Sequence, residues 1–152
     1  MKISDLLDNH SIIPRLESQD KKGVLEELAE TVTHISGTQK SDIVKVLLER
    51  EQLGSTGIGG GIGIPHGKLS SISTIAVGIG ISRKGVEFDS LDKKPVHILF
   101  LLITPEDSAG SHLRVLAQLS KLLKKNEFKT SLKQAGSAAE ILAVIEQYDE
   151  DF

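Results

Sequence analysis

The residues Ile98-Leu99-Phe100-Leu101-Leu102-Ile103 form an unbroken apolar run within the segment 96–103, and no other feature limits the fold as much. A strand with one wet face alternates apolar and polar side chains, so an unbroken run reads as a strand buried on both faces. It is far short of the ~20 residues needed to cross a bilayer, and Pro105 ends it. The flanking sequence supplies helices to cover it. From 20 to 36 the spacing of Val24, Leu25, Leu28, Val32 and Ile35 predicts a helix, with Asp20 as its cap and Gly37 as its stop. A second helix is expected from Ser41 through Glu51, carrying Arg50 near its C-terminal end and followed by Gly54. A further strand is expected over 75–81, and helices over 111–123 and 137–147. The pattern predicts an α/β fold: one domain spanning 1–152, with a mixed central β-sheet flanked by helices on both faces. There is no internal repeat, linker or low-complexity segment.

A content of 39% apolar and 26% charged residues fits a single globular domain. Net charge −3, no basic block, no Trp and one Tyr argue against a nucleic-acid binder. Zero cysteines exclude disulfides and thiolate metal sites. The start Met1-Lys2-Ile3-Ser4-Asp5 has no apolar signal segment, so a cytoplasmic location without direct membrane insertion is expected.

Chemistry concentrates in the glycine-rich stretch from Gly54 to Lys68. Its glycines remove the Cβ atoms that would keep a partner or an anion off the backbone. Pro65 biases Ile64 toward an extended conformation, so His66 is expected at a strand end, open to approach. Two nucleotide-binding readings fail. A dinucleotide fingerprint starting at Gly57 or Gly59 would need Gly or Ala where Ile62 or Ile64 stands. A phosphate loop ending at Gly67-Lys68 would need Gly at Ile62 and Ser or Thr at Leu69.

The order Arg50-Glu51-Gln52-Leu53-Gly54-Ser55-Thr56-Gly57-Ile58-Gly59, then Ile64-Pro65-His66-Gly67-Lys68, then His112-Leu113 opening an apolar helix, resembles the fructose/mannitol/nitrogen-regulatory class of phosphotransferase-system enzyme IIA domains. The similarity spans nearly the whole chain. It implies a phosphoryl carrier, a phosphotransferase with a phosphohistidine intermediate on His66. The donor would be a phosphohistidine carrier protein, the general carrier or its nitrogen-branch counterpart. The acceptor would be a IIB domain in a sugar-transport branch, or the phosphorylation state would be read by a regulatory target. The wording of the Gly-Ser-Thr-Gly-Ile-Gly segment, and the lack of a fused IIB or IIC portion in these residues, lean toward the regulatory branch. Transfer between histidines implies no cofactor. Where the family commonly has Ala before Ile-Pro-His this chain has Gly63, which predicts local loosening.

Each site residue has a plain structural reading beside the functional one. An ordinary imidazole titrates near 6.5, so at neutral pH a ring nitrogen with a free lone pair can attack phosphorus without a general base; the alternative for His66 is a packed residue after a turn. The Ser55 and Thr56 hydroxyls and nearby backbone N–H groups can supply phosphoryl-binding donors, and Arg50 a planar cationic fork. Arg50 also reads as a cation compensating a helix C-terminus. His112 shares a helical face with Val115, Leu116 and Leu119 and reads either as a core-edge residue or, by the resemblance, as the second active-site histidine. His10, His34 and His97 match no motif and are assigned structural or surface roles. A mononuclear metal hydrolase using His66, His112 and Asp107 or Glu106 is the rival from another class, and no His-x-His or His-Glu-x-x-His pattern supports it.

Overall fold

In the computed structural model the apolar run is strand β6 (Val96–Pro105), and three other strands pair with it. Strand β5 (Ala76–Val86) lies antiparallel along one edge; β3 (Ile62–Gly63) and then β4 (His66–Leu69) lie parallel along the other. Outside these, β1 (Ile12–Ile13) pairs parallel with β5, and β2 (Gly57–Gly59) antiparallel with β3. The six strands make one mixed sheet. The structure describes residues 1–35 and 37–152; Ser36, last residue of the expected first helix, lies outside them.

The run is buried on both faces because its side chains divide between two cores. Ile98, Phe100 and Leu102 pack with residues of α3 (Ala109–Leu123), α4 (Asn126–Gln134) and α5 (Ala138–Tyr148). Leu99, Leu101 and Ile103 pack with residues of α1 (Lys21–Glu30) and α2 (Lys40–Gln52). All six are at most 1% exposed, and full burial of such a side chain contributes about 1.5–3 kcal/mol. On β5, Val77, Ile79 and Ile81 face the three-helix side. The residues between them are glycines for a steric reason. A Cβ on Gly78 would stand 1.9 Å from Thr31 Oγ1, and one on Gly80 would stand 2.9 Å from Leu16 methyl carbons. Two bare positions thus let the end of α1 and the Leu16 segment settle onto the sheet.

Several boundaries differ from the expectation. Asp20 does cap α1, accepting from the Gly23 N–H at 2.7 Å, but α1 stops at Glu30. Thr31 Oγ1 donates to the Leu28 carbonyl at 2.6 Å, and Thr31, Val32, Thr33 and Ile35 bond three residues back, tightening the chain out of α geometry. Strand β5 runs on to Val86 past an irregularity between Ile81 and Val86. Helix α4 and strand β1 are additions that the periodicity argument did not include. Among the described residues, no helix is long and apolar enough to cross a membrane.

Candidate functional site

His66 is the first residue of β4, opposite Leu102 of β6. The segment before it is pinned from two sides: the Ile64 N–H donates to Thr56 O at 3.0 Å, and the Leu102 N–H donates to Pro65 O at 3.0 Å. Along β4 the side chains alternate. Gly67 and Leu69 face α2, where a Cβ on Gly67 would meet Val46 at 3.2 Å, so His66 and Lys68 share the other face, toward α3. His66 Nδ1 lies 2.7 Å from the Ile64 carbonyl oxygen. A carbonyl only accepts, which assigns the ring proton to Nδ1 and leaves the lone pair of the neutral ring on Nε2. The ring is partly exposed.

His112, in the first turn of α3, is brought to it. The two ring centroids are 5.4 Å apart and the planes lie at 67°. His112 is only 8% exposed, and its Nδ1 is 2.9 Å from Oγ1 of Thr104, a fully buried residue near the end of β6. Burial first, then coulombic coupling to His66 and the Lys68 ammonium, push His112 below the ordinary imidazole range. The ring is therefore neutral at pH 7, and when the Thr104 hydroxyl donates to Nδ1 the remaining proton sits on Nε2. Thr104 and Lys68 are the neighbours the sequence reading missed. Lys68 was signalled by its place two residues from His66 on a strand; Thr104, far off in sequence, carried no local signal.

The Arg50–Thr56 segment holds the other residues expected at the site. Arg50 is in the last turn of α2, partly buried, and Nη1 donates to the Gly54 carbonyl at 2.9 Å. It thus does close a helix end, with the rest of its donor fork left over. Ser55 Oγ donates to Phe88 O at 2.6 Å and accepts from the Gly57 N–H at 3.0 Å. Thr56, 3% exposed, gives its hydroxyl proton to Glu51 Oε2 and its N–H to Glu51 Oε1. Both hydroxyl hydrogens are thus held by protein acceptors. Glu51 itself is buried and also meets Lys21 Nζ at 3.0 Å, while Lys21 lies over the Phe88 ring at 4.8 Å and reaches Asp89. This carboxylate, given no role by the sequence reading, is the brace of the turn. Thr56 joins this segment to the one before His66, since its carbonyl accepts from the Ile64 N–H.

Gly63 is not a point of loosening. It is buried in β3 between Gly57 and Leu99, and the place of a methyl group is already approached by Leu99 at 3.2 Å and Val96 at 3.4 Å. The metal ligand set is not assembled either. Among the described residues no three His, Asp or Glu side chains gather as a metal site requires, and Glu106 and Asp107 line a separate cavity with Ser70 and Ser73. The largest cavity described, about 660 Å³, lies against the outer side of α2 beside Val44 and Leu48 and contains none of the site residues. His66 stands outside all five cavities described.

The family profile described as "Phosphoenolpyruvate-dependent sugar phosphotransferase system, EIIA 2" matches residues 5–148. The chain is 38% identical over 151 residues to the PTS system fructose-specific EIIABC component of Bacillus subtilis, covering 98% of this chain and 24% of that protein. It thus spans about a quarter of that relative's length. It is 35% identical over 145 residues to a Nitrogen regulatory protein of Bradyrhizobium diazoefficiens, covering 95% of each. Among solved structures, Nitrogen Regulatory Protein IIA-Ntr from Neisseria meningitidis matches with TM-score 0.88 at 34% identity, over 94% of this chain and 98% of that one. IIA mannitol from Escherichia coli matches at 0.76 with 19% identity, over 91% and 98%, a likeness of fold alone. With the paired histidines, the pinned Ile-Pro-His segment and these similarities together, the chain belongs to the EIIA 2 family of the phosphoenolpyruvate-dependent phosphotransferase system and is a IIA-type phosphoryl carrier.

Proposed function

We propose that His66 accepts the phosphoryl group on Nε2 from a phosphohistidine carrier protein and passes it on from the same atom. The hydrogen bond from Nδ1 to Ile64 O carries this reading, because it leaves Nε2 as the nucleophile and stabilises the positive charge the ring acquires on attack. The donor's N–P bond breaks as the Nε2–P bond forms, and no proton has to leave His66. Charge in the loose transition state spreads over the equatorial oxygens. His112 donates from Nε2 to one of them, with Thr104 fixing its tautomer; Lys68 and the free part of the Arg50 guanidinium add positive charge. Ser55 and Thr56 act by shaping the turn, since their hydroxyls are engaged elsewhere.

The site works in the cytoplasm, and its phosphorylation state is read by a regulatory partner. The relatives supporting this are those named nitrogen regulatory protein, aligned over 90–95% of their own length at 31–35% identity. Transfer to a sugar-transport IIB domain is the second reading, favoured by the 38% identical fructose-specific relative.

Incubation with phosphoenolpyruvate, enzyme I and a histidine-phosphorylated carrier should give an acid-labile, alkali-stable adduct. Proton–nitrogen–phosphorus correlation NMR should show phosphorus on Nε2 of His66. An adduct on Nδ1, or one that persists in His66→Ala, would overturn the assignment. Comparing proteins retained by the phosphorylated and unphosphorylated forms separates the branches: a IIB protein favours transport, while an enzyme, kinase or channel favours regulation.

A further inference from the structure

The end of the sheet opposite His66 carries a cluster of cations that the phosphoryl-carrier reading does not use. The β5–β6 ladder is interrupted between Ile81 and Val86. Inside this bulge Ser82 Oγ accepts from the Gly85 N–H at 3.0 Å, and Gly85 has φ +92°, a left-handed conformation that glycine adopts without strain. The bulge leaves Arg83 and Lys84 exposed. Across from it, His97 Nδ1–H donates to the Ser82 carbonyl at 2.9 Å. Its Nε2 has no hydrogen-bond partner among the described residues. A cavity of about 200 Å³ is lined here by Ile81, Ser82, Arg83, His97 and Lys133 of α4, with no carboxylate. Lys129, one turn earlier on α4, reaches the glycine turn, with Nζ 3.4 Å from where a Gly60 Cβ would be. A second cavity is lined by Arg15, Glu17, Arg83 and Lys84, three cations to one carboxylate.

Four lysines outside this end of the sheet, Lys21, Lys40, Lys121 and Lys125, each have a carboxylate within 4 Å. Among the described residues Arg15, Arg83, Lys84, Lys129 and Lys133 have none. In a chain of net charge −3, five unpaired cations at one pole raise the local potential, and a bound anion relieves it. The donor types suit phosphate oxygens: an arginine fork, a mobile ammonium and a serine hydroxyl.

We propose that this cavity is a second binding site, taking the phosphate group of a small phosphorylated ligand. Its size accommodates a phosphate with a short organic substituent. It is not part of the His66 centre. His97 precedes Leu102, the β4 partner of His66, by five residues along β6, about 16 Å at strand rise.

The test is a titration of the intact ¹⁵N-labelled chain at constant ionic strength with inorganic phosphate and, separately, with glycerol 3-phosphate. Saturable shifts are expected at the amides of Gly61, Gly85 and His97. They should be unchanged in His66→Ala and weakened about ten-fold or more in the double variant Arg83→Gln/Lys133→Gln, whose exposed positions leave the fold intact. Equal response to the two probes identifies phosphate itself as the ligand; tighter binding of the ester identifies an organic phosphate. Shifts that grow without saturation, that follow ionic strength alone, or that survive in the double variant overturn the proposal.

Discussion

At the scale of single residues, the informative pair is Thr104 and His112. Thr104→Val keeps the shape and removes the hydroxyl, leaving Nδ1 of a buried ring without its partner. The expected loss is about 1–3 kcal/mol of stability, read by denaturant titration. Under the proposed mechanism phosphoryl transfer from His66 should slow as well, because the His112 tautomer is no longer fixed. Normal rates in both half-reactions would remove His112 from the site and leave it a packing residue. The depressed His112 value also sets a pH dependence. The folded chain takes up this proton less readily than the unfolded chain, so the contribution of His112 to stability is whole above about pH 6.5 and is lost as pH falls below it. The slope should be at most about 1.4 kcal/mol per pH unit. Melting curves from pH 7.5 to 5.5 should show wild type losing more stability than His112→Gln. His66, His112 and Arg50 could be named as candidates from sequence because each sits in a local pattern, and the structure brings the rings of the first two together. Thr104 and Glu51 were not: a buried hydroxyl at the end of an apolar run, and an acid on a helix, reveal their partners only after the chain has folded.

At the scale of elements, the turn after α2 depends on a carboxylate that unites α1, α2 and the segment before β2. Glu51 takes two donors from Thr56 and one from Lys21. Removing it strands buried donors and a largely covered ammonium. Glu51→Ala should therefore cost on the order of 3 kcal/mol, measured by chemical denaturation, and phosphorylation of the folded fraction should slow because the turn carrying Arg50 loses its anchor. A drop in stability with an unchanged rate would make the brace purely structural. The periodic helices α2, α3 and α5 and the unbroken strand β6 were readable within one or two residues. The misses have local causes. Thr31 diverts its hydroxyl to Leu28 and ends α1 early. Helix α4 buries only Phe128 and Leu132, too few positions to declare a period. The two residues of β1 make strand geometry only against β5.

At the scale of the whole molecule, the layered α/β/α arrangement was implied by one unalternating strand, whereas the charge distribution was invisible. Arg83, His97 and Lys133 lie far apart in the chain and no basic block brings them to notice; a bulge, a strand and a helix collect them at one pole. Glycine was likewise misjudged at Gly63, where the neighbours had already closed on the vacant position. The central place of β6 has a consequence in time. It is hydrogen-bonded along both edges and covered on both faces, so its amide protons should exchange with solvent only when the whole domain opens, whereas those of the turn at Gly60 and Gly61 should exchange through local opening. Native-state deuterium uptake should show these two regimes, with protection at Leu99–Leu102 matching the global unfolding free energy. His66 is fastened to the slow regime through Leu102, so the reacting nitrogen keeps its position across many phosphorylation cycles between successive openings of its support.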